Sequence, residues 1–167
     1  MRQFKDNAGR TWTIAVNVDS IKRVRTLVKD DDGNPVNLLA AIEGHLLEKL
    51  VESPILLCDV VYALCKPDAD ALLPNKVTDE DFGRAMAGEA IDGATVALLE
   101  DLSDFFPASK RPMLQTAIRK LAQLQKIAMD EAVKRLESPI LEQRLRQTIA
   151  RDLSGVLPES SESTPAP

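Results

Sequence analysis

The feature that most restricts the fold is the spacing of apolar residues, which recur at intervals of three and four through most of the chain after residue 20. This spacing places apolar side chains on one face of an α-helix, and it predicts amphipathic helices that pack against one another. The segment 38–51 is a clear example, because Leu38, Ile42, Leu46 and Leu50 follow one another at intervals of four. The sequence therefore predicts a mainly α-helical protein.

The N-terminus departs from this pattern. The stretches 4–6 and 10–16 are separated by Asn7-Ala8-Gly9, a sequence typical of a turn. In the second stretch Trp12 and Ile14 alternate with small or polar residues, as on a strand with one buried face. We therefore expect a short β-hairpin in front of the helices.

A two-stranded ribbon alone is only marginally stable in water. We therefore expect Trp12 and Ile14 to pack on the first helices and to hold the N-terminus against the core. The outer edge of the second strand would then be free to pair with a strand of another chain. The residues assigned to this edge contact are Arg10, Thr11 and Thr13.

Capping and turn residues predict where the helices begin and end. The sequence also predicts three regions. Residues 1–107 form a hairpin with a helical domain, and residues 154–167 form a disordered Ser- and Pro-rich tail. Between them, residues 108–153 form basic amphipathic helices that either pack on the same domain or stand apart from it. The predicted elements are a first helix capped by Asp19, a loop at 30–35, a helix over 38–51, a helix from Pro54 to about Cys65 capped by Ser53, a loop at 66–77, a helix opened by a variant capping box at Thr78, and helices over 90–106, 113–137 and 139–153.

The charge is distributed unevenly. Residues 1–109 contain 11 Lys and Arg against 19 Asp and Glu, whereas residues 110–151 contain 10 against 4. A basic helical region on an acidic protein indicates contact with an acidic partner, self-association between unlike halves, or an ordinary solvated helix face. Nucleic-acid binding is disfavoured, because the protein is acidic overall and its basic runs lack interleaved aromatic residues.

The sequence suggests a cytoplasmic protein without an obvious active site. It has no apolar run near the ~20 residues that a membrane span needs, and no signal peptide. Cys58 and Cys65 are read as reduced thiols, about two helical turns apart. With His45 they do not match a zinc motif, so neither a metal nor a cofactor is expected.

Two acidic stretches resemble functional sites without meeting their requirements. The loop at 30–34 resembles part of a calcium loop, but Val28 and Leu39 would fall at positions that require carboxylates. The acidic run at 79–81 fits the N-terminus of a helix, which attracts carboxylates through its dipole. Because no phosphate-binding loop or nucleophile motif is present either, we do not expect an enzyme.

The chain resembles the tail assembly chaperones of long-tailed bacteriophages and prophages over residues 2–107. The resemblance lies in the order of features: a short N-terminal hairpin, a compact helical region, a D-E-x-F segment at 79–82, and a helix that ends in D-F-F-P at 104–107. The stretches that carry it are, in order, FKDNAGRTWTIAVNVDSIKRVR, DVVYALCKP and VTDEDFGRAMAGEAIDGATVALLEDLSDFFP.

The resemblance implies a non-enzymatic protein of the host cytoplasm that binds the tape measure protein, helps to recruit tail tube subunits and is absent from the mature virion. A homo-oligomer is also considered. The alternatives are a structural virion protein, such as a connector or tail completion factor, and a small helical regulator that binds nucleic acid. Apolar residues at helical spacing are the candidates for partner binding, and they are Phe82, Met86, Phe105, Phe106, Leu114, Ile118, Leu121 and Leu124.

Overall fold

The computed structural model describes residues 1–43, 45–72, 74–137 and 146–149. It confirms a mainly helical protein with an N-terminal β-hairpin. The elements are β1 (Arg2–Lys5), β2 (Thr11–Ile14), α1 (Val18–Leu27), a 3₁₀ helix (Leu38–Glu43), α2 (His45–Glu52), α3 (Pro54–Ala71), α4 (Asp79–Arg84), α5 (Glu89–Phe105) and α6 (Arg111–Leu136).

The hairpin has one buried face, as its alternating sequence predicts. β1 and β2 are antiparallel, and Phe4 pairs with Trp12 while Arg2 pairs with Ile14. Phe4, Trp12 and Ile14 are buried together in the core. The turn contains Gly9 at φ 79°, a left-handed conformation that glycine adopts without steric cost.

The hairpin packs mainly on the later helices. β1 lies against α5, and β2 lies against α3 and α5. The ring of Trp12 meets that of Phe82, from α4, edge to face at a centroid distance of 5.2 Å. The expectation that Trp12 packs on the first helices is therefore wrong about the partner, because an alternating strand shows which face is buried and not which helix covers it.

The helix caps agree with the sequence in two of three cases. Ser53 accepts a hydrogen bond from the backbone N–H of Leu56 at the start of α3, and Thr78 caps α4 in the same way. The cap of α1, however, is Asn17, which forms a reciprocal capping box with Ser20. Asp19 lies in the first turn instead, since Asn17 is an equally good cap two residues earlier.

The predicted loop at 66–77 is wrong over its first half, because α3 continues through Pro67 to Ala71. A proline in a helix has no N–H to donate to the carbonyl four residues earlier, here that of Ala63. The guanidinium of Arg23 donates to the carbonyl oxygens of Ala63 and Leu64, at 3.2 Å each. A side chain from α1 thus replaces the missing helical donor, which no local pattern could reveal.

The predicted helix at 38–51 is divided into two elements. Its first part is the 3₁₀ helix Leu38–Glu43, and its second part is α2. Leu38 and Ala41 are both buried, and their three-residue spacing is also the period of a 3₁₀ helix. The pattern placed Leu38 and Leu50 correctly on the buried face, whereas Ile42 and Leu46 are only half-buried and the first part of the segment is a 3₁₀ helix.

The residues Met1–Leu121 form one compact unit. Ala94, Leu98 and Leu102 of α5 are fully buried in its core. The unit extends past the predicted limit at 107, because the first turns of α6 belong to it. The predicted helix at 139–153 and the predicted tail lie outside the described residues, except for 146–149, which are helical.

Candidate partner-binding surface

Half of the predicted partner-binding residues are buried in the core of the compact unit. Phe82 is fully buried between the rings of Trp12 and Tyr62, with centroid distances of 5.2 and 5.4 Å. Met86, Phe106 and Leu114 are also buried. These side chains stabilise the fold, and in this conformation they are not accessible to a partner.

The Phe105–Phe106 pair lies at the turn between α5 and α6. The two rings meet edge to face at 5.5 Å, and Phe105 is only partly buried. The guanidinium of Arg111 donates to the carbonyl oxygen of Asp104 at 3.0 Å, which satisfies a carbonyl in the last turn of α5. The Phe105–Phe106 contact and the Arg111 hydrogen bond therefore both lie at the connection between α5 and α6.

The remaining candidates follow one face of α6 from the core into solvent. Leu114 is buried and Ile118 and Leu121 are half-buried, whereas Leu124 is 64% exposed. At 100° per residue these four side chains share one face of the helix. The apolar face that anchors α6 in the compact unit is thus continued by an exposed apolar face.

We call residues 122–136 the distal segment of α6. All of its side chains are exposed. Four of its large apolar residues are not among the predicted partner-binding residues, although the apolar residues that recur after Leu124 were a usable signal. The large apolar residues of the segment are Leu124, Ile127, Met129, Val133 and Leu136, and its cations are Lys126, Lys134 and Arg135.

The predicted edge of β2 is partly covered. The carbonyl oxygen of Thr13 accepts a hydrogen bond from Sγ of Cys65 in α3, at 3.6 Å. Arg10 is held by Asp6 and by the carbonyl oxygen of Asp81, and its guanidinium lies over the ring of Trp12. Strand addition at this edge would therefore have to displace existing contacts.

Asp6 organises the turn of the hairpin. Its buried carboxylate accepts hydrogen bonds from Nε1 of Trp12 at 2.8 Å, from Nε of Arg10 at 2.6 Å, and from the backbone N–H groups of Ala8 and Arg10. Burial alone would raise the pKa of Asp6, but the hydrogen bonds from Trp12 and Arg10 and the Arg10 charge outweigh it and lower the pKa. The ionised form of Asp6 is therefore part of the fold.

Neither cysteine has the environment of a reactive thiol. Both are free, and burial raises the pKa of Cys65 to about 12. Burial also raises the pKa of Cys58, assisted by the negative charges of Asp59 and Asp79. Over the described residues no group of three or more His, Cys, Asp or Glu could hold a metal ion, and His45 is exposed.

A groove of about 270 Å³ lies between the N-terminal part of α3, α4 and the start of α5. Phe82 and Met86 lie beneath it and are almost fully buried, the half-buried Ile91 adds apolar surface, and Asp59 and Asp79 add two carboxylates. Ile55, also in the lining, is 77% exposed. We call this feature the acidic groove.

Comparison of the chain with models of protein families, with curated proteins and with solved structures gives no match. Among the helices that the structure describes, none is long and apolar enough to cross a membrane. What the chain binds is therefore inferred from its own exposed surfaces.

Proposed function

We propose that this chain is a non-enzymatic tail assembly chaperone of a long-tailed bacteriophage. In the host cytoplasm it would bind the tape measure protein, keep it soluble and help to recruit tail tube subunits. The observation that carries the proposal is the distal segment of α6, whose large apolar side chains are all exposed. The resemblance of residues 2–107 to the tail assembly chaperones supplies the class of client.

An exposed amphipathic helix is a suitable binding element for a long helical client. Such a client presents apolar faces before it is enclosed in the tail, and exposed apolar faces aggregate. Helices associate by packing apolar side chains at intervals of three and four against one another. Leu136 lies on the same face of α6 as Ile118, eighteen positions earlier, and Leu124 lies at one edge of that face. Arg135 follows the same edge, where it could pair with client carboxylates.

The beginning of α6 belongs to the compact unit. Leu114 is fully buried, so the beginning of α6 is anchored in the core of that unit. Arg111 also joins the first turn of α6 to the end of α5. Binding energy would therefore not be spent on ordering the N-terminal half of the helix.

The test is co-expression with the long helical protein encoded nearest to this gene, followed by size exclusion with light scattering. We expect the two proteins to elute together, and the long protein to be insoluble when it is expressed alone. The double variant Leu124→Asp with Leu136→Asp should abolish co-elution, because it places charges on the apolar face. Val96→Asp is the matched control, since Val96 is an exposed apolar residue of α5.

The proposal fails if the long protein is soluble unaided and does not associate with this chain. It also fails if the double variant binds as well as the control. Mass spectrometry of purified particles then separates the alternatives, because a structural virion protein persists in the particle and a chaperone does not.

A further inference from the structure

The acidic groove combines apolar surface with carboxylates that have no cationic partner. Asp59 is half-buried, and neither Asp59 nor Asp79 forms an ion pair with any described residue. Burial raises the pKa of Asp59, and the nearby charge of Asp79 adds to the effect. A cation placed between the two carboxylates would offset their repulsion.

Because part of the groove is apolar, its occupant must carry apolar side chains as well as positive charge. Phe82 and Met86 are buried behind it, while Ile91 is half-buried and Ile55 is exposed beside it. An apolar side chain that entered the groove would remove the exposed surface of Ile55 and Ile91 from water. The chemistry of the groove therefore matches a segment that carries apolar and basic residues together.

The distal segment of α6 has this composition. Lys126 and Lys134 are exposed, and neither forms an ion pair within the described part of the chain. Ile127 follows Lys126 directly and is exposed as well. The distal segment also contains Asp130 and Glu131, so its three cations leave it with a net charge of only +1, opposite in sign to residues 1–109, where acids exceed bases by 19 to 11.

We propose that the acidic groove of one copy of this chain binds the distal segment of α6 of a second copy. Apolar side chains of the helix would lie on the apolar lining, and its lysines would face Asp59 and Asp79. The contact joins two different surfaces, so each copy keeps one free groove and one free helix, and assembly continues until a ring closes or a filament forms.

This inference needs no client and does not depend on the proposed function. If both hold, a second copy and the client compete for the same helix. Self-association would then cover the apolar face of the distal segment until a client displaces it.

The test is sedimentation equilibrium of the purified full chain with two charge-reversed variants. The groove variant carries Asp59→Lys with Asp79→Lys, and the helix variant carries Lys126→Glu with Lys134→Glu. We expect the wild type to associate, each variant alone to have a dissociation constant raised about tenfold or more, and an equimolar mixture of the variants to regain association. Association should also weaken as NaCl is raised.

The groove variant is the one whose folding requires a check, because Asp59 is half-buried. Its thermal unfolding should be measured, and Ile55→Arg supplies a second groove variant at a strongly exposed site. A monomeric wild type at ~100 μM, a concentration well above typical dissociation constants, overturns the proposal. Association of the groove variants at wild-type strength also overturns it, because α6 would then pair with α6. Failure of the mixture to associate has the same consequence.

Discussion

The compact unit and the distal segment of α6 use the same kinds of residue in opposite ways. Leu114 and Leu124 lie on the same face of one helix, yet Leu114 is fully buried and Leu124 is largely exposed. In the compact unit, strands and helices from distant parts of the sequence cover the apolar faces. The distal segment repeats the amphipathic pattern without such a cover.

This difference teaches that amphipathic periodicity alone does not distinguish a core from a binding surface. The pattern states that one face of a helix avoids water, and either the same chain or another molecule can satisfy that requirement. The distal segment leaves its large apolar residues exposed, and covering them with another molecule would be favourable.

The largest expected effect is that of Trp12→Ala in the compact unit. The side chain is fully buried against Phe82 and its indole N–H is bound to Asp6, so we expect a loss of about 3–5 kcal/mol in the free energy of unfolding. Urea denaturation followed by circular dichroism measures it. Val96→Ala, at an exposed site, should change the value by less than about 0.5 kcal/mol. Equal effects of the two substitutions would contradict the assignment of the hairpin to the core.

The comparison is sharpest within α6 itself. Leu114→Ala should lower the free energy of unfolding by about 2–5 kcal/mol, because it leaves a cavity in the core. Leu124→Ala should leave it within about 0.5 kcal/mol, because the side chain is in solvent already. Both values come from denaturant titration of the purified chain. A large loss for Leu124→Ala would mean that the distal segment is covered in solution, by a second copy or by another part of the chain.

Charged residues should show the same difference in stability between the compact unit and the distal segment. Asp6→Asn removes a buried carboxylate with four donors, and we expect a loss of about 1–3 kcal/mol at neutral pH. Glu131→Gln removes only an exposed contact to Arg135 at 4.0 Å, and should cost about 0–0.5 kcal/mol.

The pH dependence of Asp6→Asn provides a further check. The pKa of Asp6 is lowered below its ordinary 3.8 in the folded state, so its contribution is complete above pH 3.8 and is lost as the pH falls through the folded pKa. Unfolding curves recorded from pH 6 downward should therefore show a shallower acid limb in Asp6→Asn than in the wild type. Parallel acid limbs would show that the carboxylate of Asp6 is not specifically stabilised.

The last test concerns the coupling between Pro67 and Arg23. Arg23→Met should cost about 1–2 kcal/mol, because it leaves the carbonyl of Ala63 without a donor. In the Pro67→Ala background the restored N–H can bond to that carbonyl, so the same substitution should cost less, with a coupling of about 0.5–1 kcal/mol. A double-mutant cycle in urea measures the coupling. Strict additivity would show that Arg23 does not compensate for the proline.

The short-range features of the fold could be predicted from the sequence. The hairpin turn at Asn7-Ala8-Gly9, the caps Ser53 and Thr78, and the helical character of α5 and α6 each depend on residues close together in the chain. The failures came where a distant or competing group decided the outcome. Arg23 allowed α3 to continue through Pro67, and Asn17 took the capping position assigned to Asp19.

The candidate surface was predictable only in part. Among the eight selected residues, the sequence could not separate Phe82 and Leu114, which are buried, from Leu124, which is exposed, because all of them occupy apolar positions of amphipathic helices. Hydrophobicity and spacing report that a face must be covered, and only the arrangement of the elements shows whether the chain covers it. The acidic groove illustrates the same limit, since Asp59 and Asp79 belong to different helices and lie twenty positions apart.

The sequence by itself determined that the chain is helical, that a hairpin precedes the helices and that basic residues collect toward the C-terminal end, because propensity, periodicity and charge are local properties. Only the tertiary structure decided that Trp12 packs on Phe82, that the core ends partway along α6, and that two carboxylates without an ion pair among the described residues line a partly apolar groove. Those features depend on contacts between residues far apart in the chain, and these contacts exist only after the entropy of closing the intervening loops has been overcome.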